Sequence, residues 1–428
     1  MRYLAALTLV AACAHAPPAS AAPRWDYEVV YEAGKLHVTA RFPPGTSRTL
    51  EIEEGSGQYV VSGTKPSGDR WLLPECERGC TLRYDFDLPK GARGAYPSTP
   101  DEWLARPSEC PAGTTYRLTM VMPKTMGFVT GLSRSSSTAN TYEAPAADLV
   151  GGPYSAFGDF ETHTIGKVTL AYPRSSIPAS LLVPWAERAV KGVATYFGSF
   201  PVPNATIIVL PSDGDEVGFG SARGGGGAAV QLKVGRAIDR AGLDKDWVLV
   251  HELIHLGFPN LPRPQAWLEE GLSTYVEPVI RARVGIRTEQ QLWTEFVENL
   301  PGGLSDGALN TSGSWASTYW GGAAFYFLAD VMIRDRSGGK KSLADVLQAI
   351  VADGGNINET WSPQLVIQFA DRATGVPVFA ELWATLAERH KPKLTVEEAL
   401  AKLGVKKGKA LDDTAPWAVM RKSIAAPF

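Results

Sequence analysis

The apolar residues of this chain change their period near Pro184, and that change limits the architectures open to it. From Trp25 to about Pro173, apolar and polar residues alternate in short runs separated by Gly and Pro turns. Residues 25–31, 36–42, 115–122 and 167–172 are such runs, rich in β-branched and aromatic side chains. Alternation of that composition specifies strands with one face on a core. From Pro184 the spacing becomes helical, and Pro184 suits a first helical position before 185–197. Residues 206–210 read as a short buried strand and 228–234 as an edge strand. Beyond them the pattern predicts helices over 246–256, 265–284, 289–299, 320–336, 342–352, 363–372 and 378–389. The expectation is a multidomain α+β chain. It has a β-sandwich-like, all-β domain over 23–175, a catalytic domain over 176–285, and a mostly helical region over 286–428 that completes the site.

Residues 1–22 are of another kind. Arg2 precedes a short apolar run over 3–12, and small residues with prolines fill 13–23. The run is too short to cross a bilayer as a helix and reads as a secretory signal peptide, with Ala19 and Ala21 before the cleavage point. Val10, Ala11 and Ala12 before Cys13 also fit a lipobox, which would make Cys13 a lipid-bearing N-terminus. The expectation is an exported protein, periplasmic or extracellular, touching a membrane only through Cys13. Export permits disulfides. Cys76 and Cys80, with Gly79 easing the turn between them, form the expected pair and leave Cys110 free. A Cys-x3-Cys metal site is the rival, but no His or further Cys stands near it in sequence. Lys and Arg total 42 against 45 Asp and Glu, a net charge of -3. That leaves no basic excess to hold a phosphate backbone, so nucleic acid is not an expected partner.

A glycine-rich stretch over 218–227 invites a phosphate-loop reading. It lacks the Gly-Lys-Ser/Thr ending, and Arg223 stands where a dinucleotide fingerprint needs its third glycine. A strand rather than a helix follows it. The stretch reads instead as backbone that comes close to a substrate or to another chain segment. His37 and His163 fall within strand patterns and read as structural.

One motif carries chemistry. Residues 251–255 read His-Glu-Leu-Ile-His inside an apolar, helix-compatible segment. Residues four apart on a helix share a face, so His251 and His255 can aim at one metal ion. Glu252, beside the first ligand, can reach a water on that metal. A catalytic zinc ion, one per chain, wants three protein ligands and an open position. After a turn holding Pro259, Pro262 and Pro264 comes Trp267-Leu-Glu-Glu-Gly-Leu-Ser-Thr-Tyr275, where Glu269 and Glu270 compete as third ligand.

His-Glu-x-x-His followed by Trp-Leu-x-Glu-Gly resembles the gluzincin metallopeptidases, which include aminopeptidase N. The resemblance implies Glu270 as the third zinc ligand and a thermolysin-like catalytic domain. Tyr319-Trp-Gly-Gly resembles the Tyr-x-Lys-Gly helix of that clan, which implies Tyr319 as an oxyanion donor, with Gly321 in place of the Lys. The stretch from Ile333 to Leu347 is similar to the glycyl aminopeptidase branch. About 25 residues after Leu403 are too few for the PDZ domain many members carry. The acid that holds a free substrate amine in the clan's Gly-x-x-Glu-Asn element has no counterpart over 224–230, and Asp215 and Glu216 are its nearest substitutes.

The implied activity is hydrolysis of a peptide or protein substrate. Zinc sits on His251, His255 and Glu270, Glu252 is general base and then acid, and Tyr319 steadies the oxyanion. Strand 228–234 would pair with an extended peptide. The rivals are hydrolysis of a non-peptide amide or epoxide, a peptide-binding protein without turnover, and a structural zinc protein. Glu252 argues against the second, and the lack of a fourth Cys or His near the motif argues against the third.

Overall fold

Alternation in the first half becomes two facing β-layers. The computed structural model describes residues 22–52, 59–61, 65–67, 70–73, 76–88, 95–135, 140–174, 176–389 and 392–428. The expected leader through residue 21, with Cys13, lies outside them. A six-stranded sheet runs in the order Thr141–Pro145, Thr115–Val121, Arg24–Glu32, Lys35–Phe42, Cys80–Asp87, Tyr59–Val61. Its inward side chains are the alternate apolar residues: Trp25, Tyr27 and Val29 on one strand, Leu36, Val38 and Ala40 on the next. They share a core with Leu50 and Trp71 of a second, four-stranded sheet, so the period-two residues bury one face against another sheet. Cys76 and Cys80 are bridged and Cys110 is free and exposed, as expected. His37 sits against Asp85 at 2.8 Å on the outer face of the first sheet, and His163 lies 3.7 Å from Glu187.

A five-stranded sheet follows, in the order Phe160–Ile165, Val168–Pro173, Ala205–Ser212, Ala229–Gly235, Val217–Arg223. Four expectations are corrected here. The sheets do not divide near 175. Val168–Pro173 pairs in parallel with Ala205–Ser212, so it and its hairpin partner belong to this later sheet. Ala229–Gly235 is an interior strand, because Ala229, Val230, Leu232 and Val234 are too apolar to leave an edge open. The edge on that side is Val217–Arg223, read from sequence as loop because its glycines hide the strand pattern. Helix Ala179–Tyr196 covers the sheet and begins five residues before Pro184, since Leu182 already belongs to its buried stripe with Trp185, Ala186, Ala189 and Val193.

From Val248 onward the chain is chiefly helical. One core joins the sheet to helices Val248–His255, Ala266–Arg283 and Gly322–Arg336, through Leu170, Ile207, Val230, Leu253, Leu272 and Phe325 among others. No described helix is long and apolar enough to cross a membrane.

Gly224–Gly227 forms the joint between these parts. Side chains have no room there. A Cβ on Gly224 would lie 2.3 Å from the Ile357 carbonyl, and one on Gly227 would lie 2.0 Å from the Gly131 carbonyl. Asn358 Oδ1 accepts from the N–H groups of Gly225 (2.9 Å) and Gly227 (3.3 Å). The run meets another chain segment, as one of its sequence readings had it. It does not line the cleft described below.

Candidate metal centre

Asp246 starts the motif helix, Val248–His255. Its carboxylate accepts from the N–H groups of Val248 (2.8 Å) and Leu249 (3.3 Å), satisfying two donors that a helix end leaves free. The same carboxylate accepts from Trp185 Nε1 at 2.9 Å, which ties the helix start to helix Ala179–Tyr196. Burial pushes the Asp246 carboxyl above its ordinary range, against those hydrogen bonds.

The four-residue spacing then does what the sequence required. The His251 and His255 rings lie 5.0 Å apart, and the Nε2 atoms approach Glu270 Oε2 at 3.2 and 3.5 Å. Ligand atoms of His251, His255 and Glu270 all lie within 4.8 Å of one another, the only such group among the described residues. Two imidazole nitrogens and a carboxylate oxygen are a donor set that suits zinc. Burial pushes the Glu270 carboxyl up, but the hydrogen bonds and charges of both histidines outweigh it and hold it well below the carboxylate range. Burial lowers His251. It also pulls His255 down, but Glu270, with help from Glu252 and Glu269, pushes that ring up to about 9. Glu269 points elsewhere: its Oε1 accepts from the Leu261 N–H at 2.5 Å. Geometry therefore brings Glu270, and not Glu269, to the histidines.

Glycines set how closely Tyr319 can approach. A Cβ on Gly271, one residue after Glu270, would lie 2.2 Å from the Gly322 carbonyl carbon, and a Cβ on Gly322 would lie 2.1 Å from the Trp267 carbonyl. Helices Ala266–Arg283 and Gly322–Arg336 can cross at that distance only with glycine on both. The turn just before, Ser317–Gly321, is a π-helical widening, a feature frequent at functional sites. It brings the Tyr319 ring parallel to His251 (centroids 6.2 Å, 22° between planes). Burial pushes the Tyr319 phenol up to about 12, with the charges of Glu270 and Glu252 and a hydrogen bond to Glu270 adding to it. Gly321, where the resembled family has Lys, has its own packing reason: a Cβ there would lie 2.5 Å from the Gly303 carbonyl.

Glu252 is buried on the cleft side of the motif helix. Burial pushes it up to about 7; the Glu270 charge adds, while the His255 charge and the Ala222 N–H oppose. Ala222 belongs to the edge strand Val217–Arg223, which lies against this helix because residue 220 is glycine. A Cβ there would meet Val248 Cγ1 at 2.5 Å and Glu252 Cγ at 3.0 Å. Residues 217–222 form one wall of a cleft of about 580 Å³, whose floor holds His251, Glu252, His255 and Glu270 and whose far side holds Tyr319. Asp215 and Glu216 are exposed and outside its lining. Sequence reading missed Gly220, Ala222 and Asp246. Only Asp246 left a signal, an acid two residues before a helix.

No protein-family model matches the sequence, and no curated protein matches it. Solved structures do. An aminopeptidase N family protein from Idiomarina loihiensis superposes with a TM-score of 0.69 over 91% of this chain and 80% of that one, at 16% identity. The chain shares that protein's fold. An M1 zinc metallopeptidase from Deinococcus radiodurans matches at a TM-score of 0.57 and 16% identity, over 87% of this chain and 95% of that one. A mutant M1 zinc metallopeptidase from the same organism, bound to a Tyr-Ser-Ala substrate, matches at a TM-score of 0.56 and 15% identity, over 87% and 96%.

Proposed function

We propose that this chain is an exported zinc metallopeptidase of the gluzincin type. The observation that carries the reading is the convergence of His251, His255 and Glu270 on one point in a cleft, with Glu252 and Tyr319 beside it. His251, His255 and Glu270 would hold a zinc ion, which would supply a Lewis acid able to make water a nucleophile near neutral pH and to polarise a carbonyl. Glu252 takes the proton of the attacking water and returns it to the leaving amine; burial raises its proton affinity toward that task, and the Ala222 N–H orients it. Tyr319 keeps its proton at working pH and donates it in a hydrogen bond to the oxyanion. The open edge of Val217–Arg223, not the interior strand beyond it, is suited to pair with an extended peptide. A neighbour of the same fold holds a tripeptide described as its substrate, which supports a peptide substrate here. The Cys76–Cys80 bridge and the leader-like N-terminus support export, with Cys13 as the conditional lipid anchor.

Metal analysis with a peptide-library digest tests this reading. The purified protein should hold one zinc per chain and cut peptides, and His255→Ala should lose most of the metal and all hydrolysis. Full zinc retention in that variant would refute the ligand assignment. A metal-loaded protein that cuts no peptide would leave a binding protein or another hydrolase.

A further inference from the structure

The cleft is bordered by aromatic rings that the described residues leave largely exposed. Among the described residues four aromatic side chains are strongly exposed; two of them, Phe219 and Trp247, line this cleft, and a third, Trp315, stacks on its lining residue Tyr319. The fourth, Phe428, lies beneath the Arg283 guanidinium at 4.2 Å. Trp247 begins a continuous row. Its ring meets His251 edge-on (centroids 5.4 Å), His251 lies parallel to Tyr319 (6.2 Å), and Tyr319 stacks on Trp315 (5.1 Å, 24° between planes). The row thus runs across the metal centre and projects at both ends, with Trp247 50% and Trp315 67% exposed. Phe219 faces it from the edge strand, 69% exposed, at a bulge where the pairing with Ala229–Gly235 slips. Bulges re-aim side chains.

Leaving three large rings in water forgoes the burial that such side chains ordinarily obtain. We infer that Phe219, Trp247 and Trp315 are specificity-determining residues that clasp bulky apolar side chains of the substrate next to the scissile bond. The inference rests on the peptidase reading and extends it to a substrate class. A peptide extended along Val217–Arg223 passes between Phe219 and the ring row, so the side chains flanking its scissile bond are those the rings can reach. The cleft lining adds no Lys or Arg. An acidic side chain there would find no cationic side chain to pair with, and a small one would leave the rings wet.

Two peptide sets, identical except for Phe, Leu, Ala or Glu at the residues flanking the cut, test this on the zinc-loaded protein. We expect kcat/KM to be roughly ten- to a hundredfold higher for Phe or Leu than for Ala, as burial of a large apolar side chain allows. Phe219→Ala and Trp315→Ala should shrink that Phe-to-Ala ratio several-fold, with zinc content and circular dichroism kept. Equal rates for Ala and Phe peptides, or a ratio unmoved in both variants, would overturn the inference while leaving the peptidase intact. If no peptide is cut, the peptidase reading fails by itself. Binding of the same peptides to Glu252→Gln protein, read by tryptophan fluorescence, then decides the inference: tighter binding of the Phe peptides supports it, and no contrast with Ala overturns it.

Discussion

His251 and Glu252 are neighbours in sequence yet point to different tasks, because each helical residue turns the side chain by about 100°. His251 faces Glu270 and His255, while Glu252 faces the edge strand and the cleft. Metal retention and proton transfer can therefore be separated by substitution. Glu252→Gln keeps the shape and loses the base, so zinc content should stay at wild-type level while kcat falls at least about a hundredfold. Tyr319→Phe should also keep zinc and lose roughly ten- to a thousandfold in kcat. A loss confined to KM would make Tyr319 a binding residue. The protons of the site give a third expectation. In the metal-free protein His255 is pushed up to about 9, so at pH 7 it carries a proton, whereas zinc takes only the neutral ring. Zinc uptake at pH 7 should release at least about one proton per chain, His255 giving one and Glu252, pushed up to about 7, a share, and zinc affinity should fall as pH drops below 9. Calorimetry in buffers of differing ionisation enthalpy measures the release, and none at pH 7 would contradict this protonation state.

At the scale of elements, helices were legible and their spacing was not. The predicted segments 265–284 and 289–299 match helices Ala266–Arg283 and Glu289–Gly303 closely, because their apolar periodicity is a property of the segment alone. What decides the site is how near two elements come, and the residues that permit this are glycines, which carry no pattern. Gly220, Gly271 and Gly322 are such positions. The edge strand was missed for the same reason: glycines that lower the strand signal let it lie on the motif helix. His251, His255 and Glu270 were legible because two fixed spacings on helices suffice to bring them together. Spacing alone does not separate Glu270 from Glu269; the family resemblance does, and the 3.2 and 3.5 Å approaches of the histidines to Glu270 agree with it. Asp246 offers a test at this scale. Asp246→Ala removes two helix-end acceptors and orphans the buried Trp185 N–H, so it should destabilise the protein by about 1–3 kcal/mol in urea titration. An unchanged unfolding midpoint would mean that packing alone holds the helix start.

On the scale of the whole molecule, the β-rich first part, the central sheet and the helical part meet at Gly224–Gly227, where Asn358 ties the run to the helical part and Gly131 and Ala144 press on it from the first. That placement bears on which end of a substrate is read. In the resembled family an acid near this position holds the free amine. Here the run is consumed by the joint and contributes nothing to the cleft, and Asp215 and Glu216 lie outside it. The remaining candidate is Glu269, which lines the cleft, but one of its oxygens is already committed to the Leu261 N–H. Its burial pushes the carboxyl up, which weakens it further as a partner for a cation. An ammonium group buried without a charged partner would cost several kcal/mol, so a cleft lacking a dedicated acid favours substrates that bring no charge to it. Acetylated and free versions of one peptide should therefore be cut within about threefold of each other, as expected of an endopeptidase or a broad peptidase. Comparing the two forms on wild-type and Glu269→Gln protein decides the matter. Strict dependence on the free amine, lost in that variant, would make Glu269 the amine anchor and the enzyme an aminopeptidase.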